Sequence, residues 1–307
     1  MPNLNDLLDH INFKSEDLTE IEEALKRVTD TIDAKSLEGK IPKAFYKYAK
    51  YGSIDRKTKI KPLNDIDLFY LIGSATKNSL NGHLLEDCHY FFQEEDHDPY
   101  NNISSRKLLF KLKSAIKEKY STSEIIKNNE VVNVWLDSYD VGFDIAPAFY
   151  VLEGDYYLIP EGGDSHYWKE TNPFAGKKVF ERINNYHNGF LRDVIKIIKY
   201  WFKQKKISSP GSYHIECVLC HYFNSLTEKP SNFITALYWA FLNINYKNYL
   251  LECENLSNIN KNLTDKISSN LTLYDINKIE TEAEIASSIL KHDGGIAFVN
   301  YLAPEIE

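Results

Sequence analysis

The chain has few cysteines, no long apolar run and no excess of positive charge. Four cysteines are scattered through 307 residues; this excludes a disulfide framework, and a reducing cytoplasmic location is expected. No segment reaches the roughly 18 consecutive apolar residues of a membrane-spanning helix, and the first residues lack the features of a signal peptide. Acidic residues (44) outnumber lysine and arginine (36), giving a net charge of −8, which argues against constitutive nucleic-acid binding.

What remains is an ordinary globular composition, 43% hydrophobic, in a chain long enough for one large domain or two lobes. Hydrophobic periodicity predicts helices at 15–33 and 103–119, strands at 44–51, 65–72, 131–136 and 140–146, and then helices at 177–206, 212–226 and 232–251. The pattern changes near residue 160. It therefore predicts an α+β lobe over 1–160, beginning with a helix, and a mainly helical lobe over 161–307, with a substrate cleft between them.

Asp65 and Asp67 stand two residues apart at the start of the predicted strand 65–72. Side chains at positions i and i+2 of a strand point to the same face, so the two carboxylates are expected to lie together. Two such carboxylates repel each other unless a cation lies between them. Mg²⁺ is commonly held by one or two carboxylates together with substrate phosphates. The pair therefore predicts a magnesium site.

Two further features extend this site towards a nucleoside triphosphate. Asp144 lies on a predicted strand that could pair beside the one carrying Asp65 and Asp67. Three carboxylates on neighbouring strands can hold two Mg²⁺ ions, about 3.5–4 Å apart in such sites, with Mn²⁺ as the alternative ion. Gly52 and Ser53 form a turn shortly before the acidic pair and could supply backbone N–H groups and a hydroxyl to phosphates.

Each of these pieces has a structural alternative. An isolated Asp-x-Asp is usually a solvated turn, Gly-Ser is a common turn, and one aspartate on a strand is often a paired surface acid. Their combination in this order is much more specific, and it favours metal-dependent chemistry on a nucleoside triphosphate.

In this combination the chain resembles the DNA polymerase β-type nucleotidyltransferase superfamily, and more narrowly the cGAS/DncV-like nucleotidyltransferases (CD-NTases) of bacterial CBASS anti-phage defence. The likeness covers about residues 44–225. The residues that carry it are Gly52, Ser53, Arg56, Thr58, Asp65, Ile66 and Asp67, followed by the segments 143–149, 157–160, 168–173, 191–201 and 212–216.

The resemblance implies a fold and a set of roles. The fold is a polymerase β-like nucleotidyltransferase lobe with a mixed sheet, packed against a helical C-terminal lobe, with the active site in the cleft. The implied roles are triphosphate binding by Gly52 and Ser53, catalysis and metal binding by Asp65, Asp67 and Asp144, contacts of Lys199 and Ser212 with the β- and γ-phosphates, and stacking of Tyr213 on a nucleobase.

Judged from the residues alone, Lys199, Ser212 and Tyr213 have simpler interpretations. Lys199 could be a solvated lysine of a Lys-rich helix, Ser212 could be an N-cap, and Tyr213 could belong to the core. Asn172 is a candidate reader of the nucleobase because its amide both donates and accepts hydrogen bonds. It could equally begin a turn before Pro173.

The implied reaction joins NTPs into a cyclic dinucleotide or cyclic oligonucleotide second messenger, with release of pyrophosphate, in anti-phage signalling. The diffusible product would reach a downstream effector. One alternative is a nucleotidyltransferase that modifies RNA, protein or a small molecule without cyclisation. Another is a catalytically dead nucleotide-binding regulator.

Two groups of cysteine and histidine residues could be metal ligands, but neither is expected to bind a metal. Cys217 and Cys220 are spaced i, i+3 on an apolar helix and are expected to be core residues. A loose set of histidines and a cysteine matches no standard zinc spacing, and activation by DNA is not expected. This set comprises His83, Cys88, His89 and His97.

Overall fold

The computed structural model describes residues 2–43, 48–62, 65–75, 103–151, 156–258 and 266–306. Its helices are α1 (Leu4–Ile11), α2 (Ser15–Leu37), α3 (Gly52–Asp55), α4 (Ser105–Lys119), α5 (Pro173–Tyr186), α6 (Phe190–Lys205), α7 (Ser212–Ser225), α8 (Phe233–Leu242), α9 (Leu273–His292) and α10 (Gly294–Leu302). Its strands are β1 (Ala49–Lys50), β2 (Ile66–Ala75), β3 (Ile125–Asn128), β4 (Val131–Leu136), β5 (Val141–Val151), β6 (Tyr156–Pro160), β7 (Trp168–Thr171), β8 (Glu252–Glu254) and β9 (Lys266–Ser268).

These elements form two compact units. The sheet unit comprises residues Lys14–Ile54 and Pro62–Asn172, and the helical unit comprises Met1–Phe13, Asp55–Lys61 and Pro173–Glu307. The chain therefore passes between the units several times, whereas the sequence predicted one boundary near residue 160. The difference arises because β6 and β7 extend the sheet, while α1 packs with α6 in the helical unit.

The sheet unit is built on a mixed sheet in the order β1-β2-β5-β4-β3, with β6 also paired to β5 and β7 paired to β6. Strands β2 and β5 are parallel, and the other paired strands are antiparallel. Helices α2 and α4 contribute Val28 and Leu112 to the same hydrophobic core as Leu68 and Ile145 of the central strands. Because strand side chains alternate, the residues between these apolar positions point to the opposite face.

The helical unit packs α1 and α5 to α10 around a core that includes Trp201, Phe241 and Phe298. Cys217 and Cys220 are fully buried in it, which confirms the prediction that they are core residues. The predicted helix 177–206 is interrupted at Asn188 and Gly189, whose φ angles are +57° and +82°. Left-handed backbone of this kind ends a helix and suits Gly and Asn best.

A mixed sheet combined with a helical unit confirms the predicted α+β class. In the described part of the chain, no helix is long and apolar enough to cross a membrane.

Candidate functional site

Asp67 and Asp144 lie side by side on the central parallel strands. The register of β2 and β5 pairs Asp67 with Asp144, between the pairs Ile66–Phe143 and Leu68–Ile145. Residues paired in register point to the same face, and both aspartates are partly exposed between buried apolar neighbours. The alternation that buries the neighbours against α2 and α4 therefore presents both carboxylates together on the other face.

Asp65 is placed differently from the prediction. Strand β2 begins at Ile66, and Asp65 is an exposed residue just before it with a left-handed φ of +56°. The alternation rule for strands therefore does not apply to Asp65. Among the described residues, no group of three His, Cys, Asp or Glu side chains is close enough to hold a metal ion. The structure pairs Asp67 with Asp144, and the metal-binding role of Asp65 remains a prediction.

Two neighbours of the acidic pair were not predicted from the sequence. Asn133 is paired in register with Asp144 and donates a hydrogen bond from Nδ2 to Asp144 Oδ1. The Tyr51 backbone N–H donates to the Asp67 carbonyl at 3.1 Å. Burial, reinforced by the negative charges of Asp67 and Asp144, raises the pKa of the Tyr51 hydroxyl well above its usual value. The aromatic residue directly before Gly-Ser was the available signal for Tyr51.

The donor set of this pair suits a divalent cation. Ionised carboxylates only accept hydrogen bonds, and hard oxygen ligands are those that Mg²⁺ prefers. The register pairing places the carboxylates of Asp67 and Asp144 on neighbouring strands, which produces a negative potential at this point. A cation bound by these residues would neutralise that potential, so the residues present fit a magnesium site.

Gly52 is required by its closeness to Asp67. It begins α3 with a φ of +69°, and a Cβ at this position would overlap the Asp67 carboxylate. Only glycine combines this backbone conformation with so close an approach. The next residue, Ser53, is partly exposed. The start of α3 and Asp67 are therefore in direct contact within the sheet unit.

In the helical unit, the structure places Lys199 in a buried ion pair. Lys199 is 6% exposed, and its ammonium donates to Glu216 Oε1 at 2.6 Å and to the Thr58 carbonyl at 3.2 Å. It is thus not the solvated lysine of the simpler reading. Its contact with phosphates remains a prediction. Glu216 was not assigned a role from the sequence, although an acid among the apolar residues of α7 was a visible signal.

Ser212 and Tyr213 open helix α7. Ser212 is its first residue and is exposed. The Tyr213 hydroxyl donates to Asn255 Oδ1 at 2.8 Å, and the Arg56 guanidinium carbon lies 5.0 Å from the centre of the Tyr213 ring. The ring is only partly buried. Nucleobase stacking by Tyr213 remains a prediction.

Asn172 and the possible zinc ligands complete the predicted residues. Asn172 is partly exposed and follows β7, directly before Pro173 at the start of α5, a position that Pro commonly occupies. Asn172 thus links β7 directly to α5, and base reading remains a prediction. The segment with His83, Cys88, His89 and His97 lies outside the described residues.

Comparisons with known proteins point to one family. A model of the Second Messenger Oligonucleotide or Dinucleotide Synthetase domain matches residues 93–184. A probable cyclic nucleotide synthase of Bacillus cereus (strain VD146) is 30% identical over 218 residues, which are 64% of this chain and 63% of that protein. The match thus spans less than two thirds of the relative.

Solved structures share the fold at low sequence identity. Vibrio cholerae DncV, a cyclic AMP-GMP synthase in complex with a linear intermediate, superposes with a TM-score of 0.67 at 11% identity, covering 99% of this chain and 94% of that chain. Escherichia coli MS115-1 CdnC with ATP gives a TM-score of 0.62 at 16% identity, covering 99% and 93%. These matches support the predicted nucleotidyltransferase fold.

Proposed function

We infer from the chain's likeness to known cyclic nucleotide synthases that it is a cGAS/DncV-like nucleotidyltransferase and joins NTPs into a cyclic dinucleotide or cyclic oligonucleotide messenger. The observation that carries this proposal is the pairing of Asp67 with Asp144 on parallel strands, with Gly52 against Asp67. The name of the B. cereus relative and the linear intermediate bound by V. cholerae DncV support the class of reaction. The diffusible product would act on an effector in anti-phage signalling.

For a cyclic dinucleotide, the proposed reaction consists of two successive nucleotidyl transfers, and each further nucleotide in a larger ring adds one more. A ribose hydroxyl of the acceptor attacks the α-phosphorus of the donor, a new P–O bond forms, and the bond to the bridging oxygen breaks. Pyrophosphate leaves with the electron pair, and the hydroxyl proton passes to solvent. A hydroxyl of the resulting linear intermediate then attacks the α-phosphorus of its remaining triphosphate. This second transfer closes the ring and releases another pyrophosphate.

The residues of the chain bind and orient the reactants. Asp67 and Asp144, joined by Asp65, would hold two magnesium ions, and Asp144 would lie closest to the attacking hydroxyl. Bound magnesium would lower the pKa of that hydroxyl and neutralise charge on the triphosphate. Gly52 and Ser53 would orient the triphosphate. Most of the catalytic effect would then come from positioning and charge neutralisation.

In the helical unit, the triphosphate and the nucleobase would be bound by different side chains. Lys199 would contribute a compact positive charge to the β- and γ-phosphates, and Ser212 a hydroxyl. Tyr213 would stack on a nucleobase, an interaction worth about 1–3 kcal/mol per base.

Incubation of the purified chain with labelled NTPs and Mg²⁺, without any added acceptor, tests the function. We expect pyrophosphate release and a labelled product that resists phosphatase, because a cyclic product has no terminal phosphate. A parallel reaction contains added RNA, protein or a small molecule. Label that is transferred only to such an acceptor would instead support a non-cyclising transferase. Nucleotide binding without turnover would indicate a regulator.

Asn172 is proposed to read a nucleobase, because its amide can match donor and acceptor groups on a base edge. Asn172→Ser is expected to change the proportions of the bases in the product while preserving pyrophosphate release. The base composition of the product from equimolar NTPs measures this effect. An unchanged composition would leave Asn172 as a residue of the turn before Pro173.

A further inference from the structure

Glu216 is a fully buried acid with both carboxylate oxygens occupied. Its Oε1 accepts from the Lys199 ammonium at 2.6 Å and from the Thr58 hydroxyl at 2.7 Å, and its Oε2 accepts from Arg56 Nε at 2.5 Å. Glu216 and Thr58 are 0% exposed, and Arg56 is 3% exposed. An unpaired carboxylate at such a site would be strongly unfavourable. The two cations and the hydroxyl therefore hold Glu216 in its charged form.

The charges of this cluster do not cancel. Burial alone would raise the pKa of the Glu216 carboxyl, but the charges of Arg56 and Lys199 and the hydrogen bonds from Lys199 and Thr58 lower it to about 2. Arg56 is always protonated. With Lys199 protonated, the cluster contains two positive charges and one negative charge, so one positive charge remains for an anion.

The segment Asp55–Lys61, which begins two residues after Ser53, is held by this cluster together with two further contacts. Lys177 of α5 forms a 2.6 Å ion pair with Asp55. Arg192 of α6 donates from Nε to the Arg56 carbonyl at 3.2 Å. Lys199 of α6 donates to the Thr58 carbonyl, and Glu216 of α7 binds the side chains of Arg56 and Thr58. Three helices therefore hold this segment through charged side chains.

We propose that Glu216 is a positioning residue for the triphosphate, which holds Lys199 protonated and fixed in orientation beside the Arg56–Thr58 segment. The inference rests on the proposed function, because it takes the triphosphate as the anion that Lys199 meets. Lys199 has three N–H donors. Glu216 and Thr58 accept from two of them, which leaves the third for a phosphate oxygen.

The protonation of Lys199 depends on Glu216. Burial lowers the pKa of the Lys199 ammonium below its usual value, and the charge and hydrogen bond of Glu216 offset only part of this effect. Arg56 and Lys59, from the segment packed against α6, lower it further. Burial raises the pKa of the neighbouring Cys217 thiol to about 12, so that thiol stays neutral. Without the Glu216 charge, Lys199 should lose its proton at a lower pH.

The test is the affinity for non-hydrolysable α,β-methylene analogues of ATP, GTP, CTP and UTP with Mg²⁺, measured from about pH 7 to about pH 9. Glu216→Gln should weaken binding about tenfold at pH 7, the effect of one charged hydrogen bond. Its Kd should then begin to rise at a lower pH than the wild-type Kd does. Adding Lys199→Arg should remove this pH dependence, because arginine does not lose its proton.

Glu252→Gln is the matched control. Glu252 also forms a Lys–Glu pair in the helical unit, 2.5 Å from Lys266, but both partners are about half exposed. This variant should bind like the wild type at every pH. A Glu216→Gln variant that is folded by circular dichroism but keeps the wild-type Kd would overturn the inference. A loss of affinity that is equal at all pH values would also overturn it, because that result indicates a purely structural role.

If Glu216→Gln does not fold, the variant Thr58→Val tests the role of Glu216 instead. It removes one hydrogen bond to Glu216 and should weaken analogue binding about threefold, with a smaller rise of Kd with pH in the same direction. An unchanged Kd in this variant would contradict the inference. Binding of the analogues is measured without turnover, so the outcomes are separable. A chain that binds the analogues but makes no product from the NTPs themselves would count against the proposed function and leave the role of Glu216 standing.

Discussion

The variants Asp67→Asn and Asp144→Asn are each expected to lower the rate of pyrophosphate release by about a hundredfold to a thousandfold, and the double variant should release none. Asparagine keeps the shape of the side chain but removes the charge that would hold magnesium. The two residues are paired in register on the central parallel strands, so losing either leaves an incomplete pair. A pyrophosphate-release assay with all four NTPs measures the effect.

Asp140→Asn is a suitable control for these variants. Asp140 is an exposed acid with a φ of +50°, located just before β5, and it should be dispensable. Asp65 has a similar exposed, left-handed position before β2, yet the proposal assigns it to the metals. Asp65→Asn should therefore resemble Asp67→Asn and differ from Asp140→Asn. Wild-type rates in the Asp67 and Asp144 variants would exclude the proposed metal site.

Replacing Gly52 with alanine is expected to reduce activity by about a hundredfold, as a misplacement of about 1 Å at a reacting centre does. The new Cβ would overlap the Asp67 carboxylate, so either the turn or Asp67 must move. The variant should remain folded, because Gly52 is partly exposed and lies outside the hydrophobic core. Steady-state kinetics together with thermal unfolding measure both effects.

Gly39→Ala separates the contact with Asp67 from backbone strain. Gly39 has a φ of +74°, close to that of Gly52 at +69°, but a Cβ there would meet nothing within 4 Å. Both substitutions place alanine in a left-handed conformation and share the cost of that backbone strain, while Gly52→Ala alone adds the overlap with Asp67. Only Gly52→Ala should lose activity. Equal activity in the two variants would show that the closeness of Gly52 to Asp67 has no catalytic consequence.

The sequence was most informative where the hydrophobic pattern is strongest. The predicted strand 131–136 matches β4 in both bounds, and the strand predicted to carry Asp144 pairs beside that of Asp67. The placement of Asp65 differed from the prediction because the alternation rule does not show at which residue a strand begins. In the structure β2 begins at Ile66, and Asp65 before it has a left-handed backbone conformation. The break at Asn188 and Gly189 was missed because apolar spacing continues on both sides of it.

The environment of Lys199 could not be predicted for another reason. Its partner Glu216 lies seventeen residues away in sequence, and Thr58 lies 141 residues away. Local periodicity contains no information on such long-range pairs. The same limit explains the interleaved units, because nothing in the local pattern of residues 55–61 indicates that they pack with the helical unit.

The most direct test of the central claim is the mass of the phosphatase-treated product that the purified chain makes from all four NTPs and Mg²⁺. Each joining step releases one pyrophosphate, and closure of the ring incorporates the last phosphate. The account predicts a product whose mass equals the sum of its nucleoside monophosphates less one water for each, and this product should be absent when both Asp67 and Asp144 are replaced by asparagine. A linear product that has lost its terminal phosphates to phosphatase would contradict it. The absence of any nucleotide product would also contradict it.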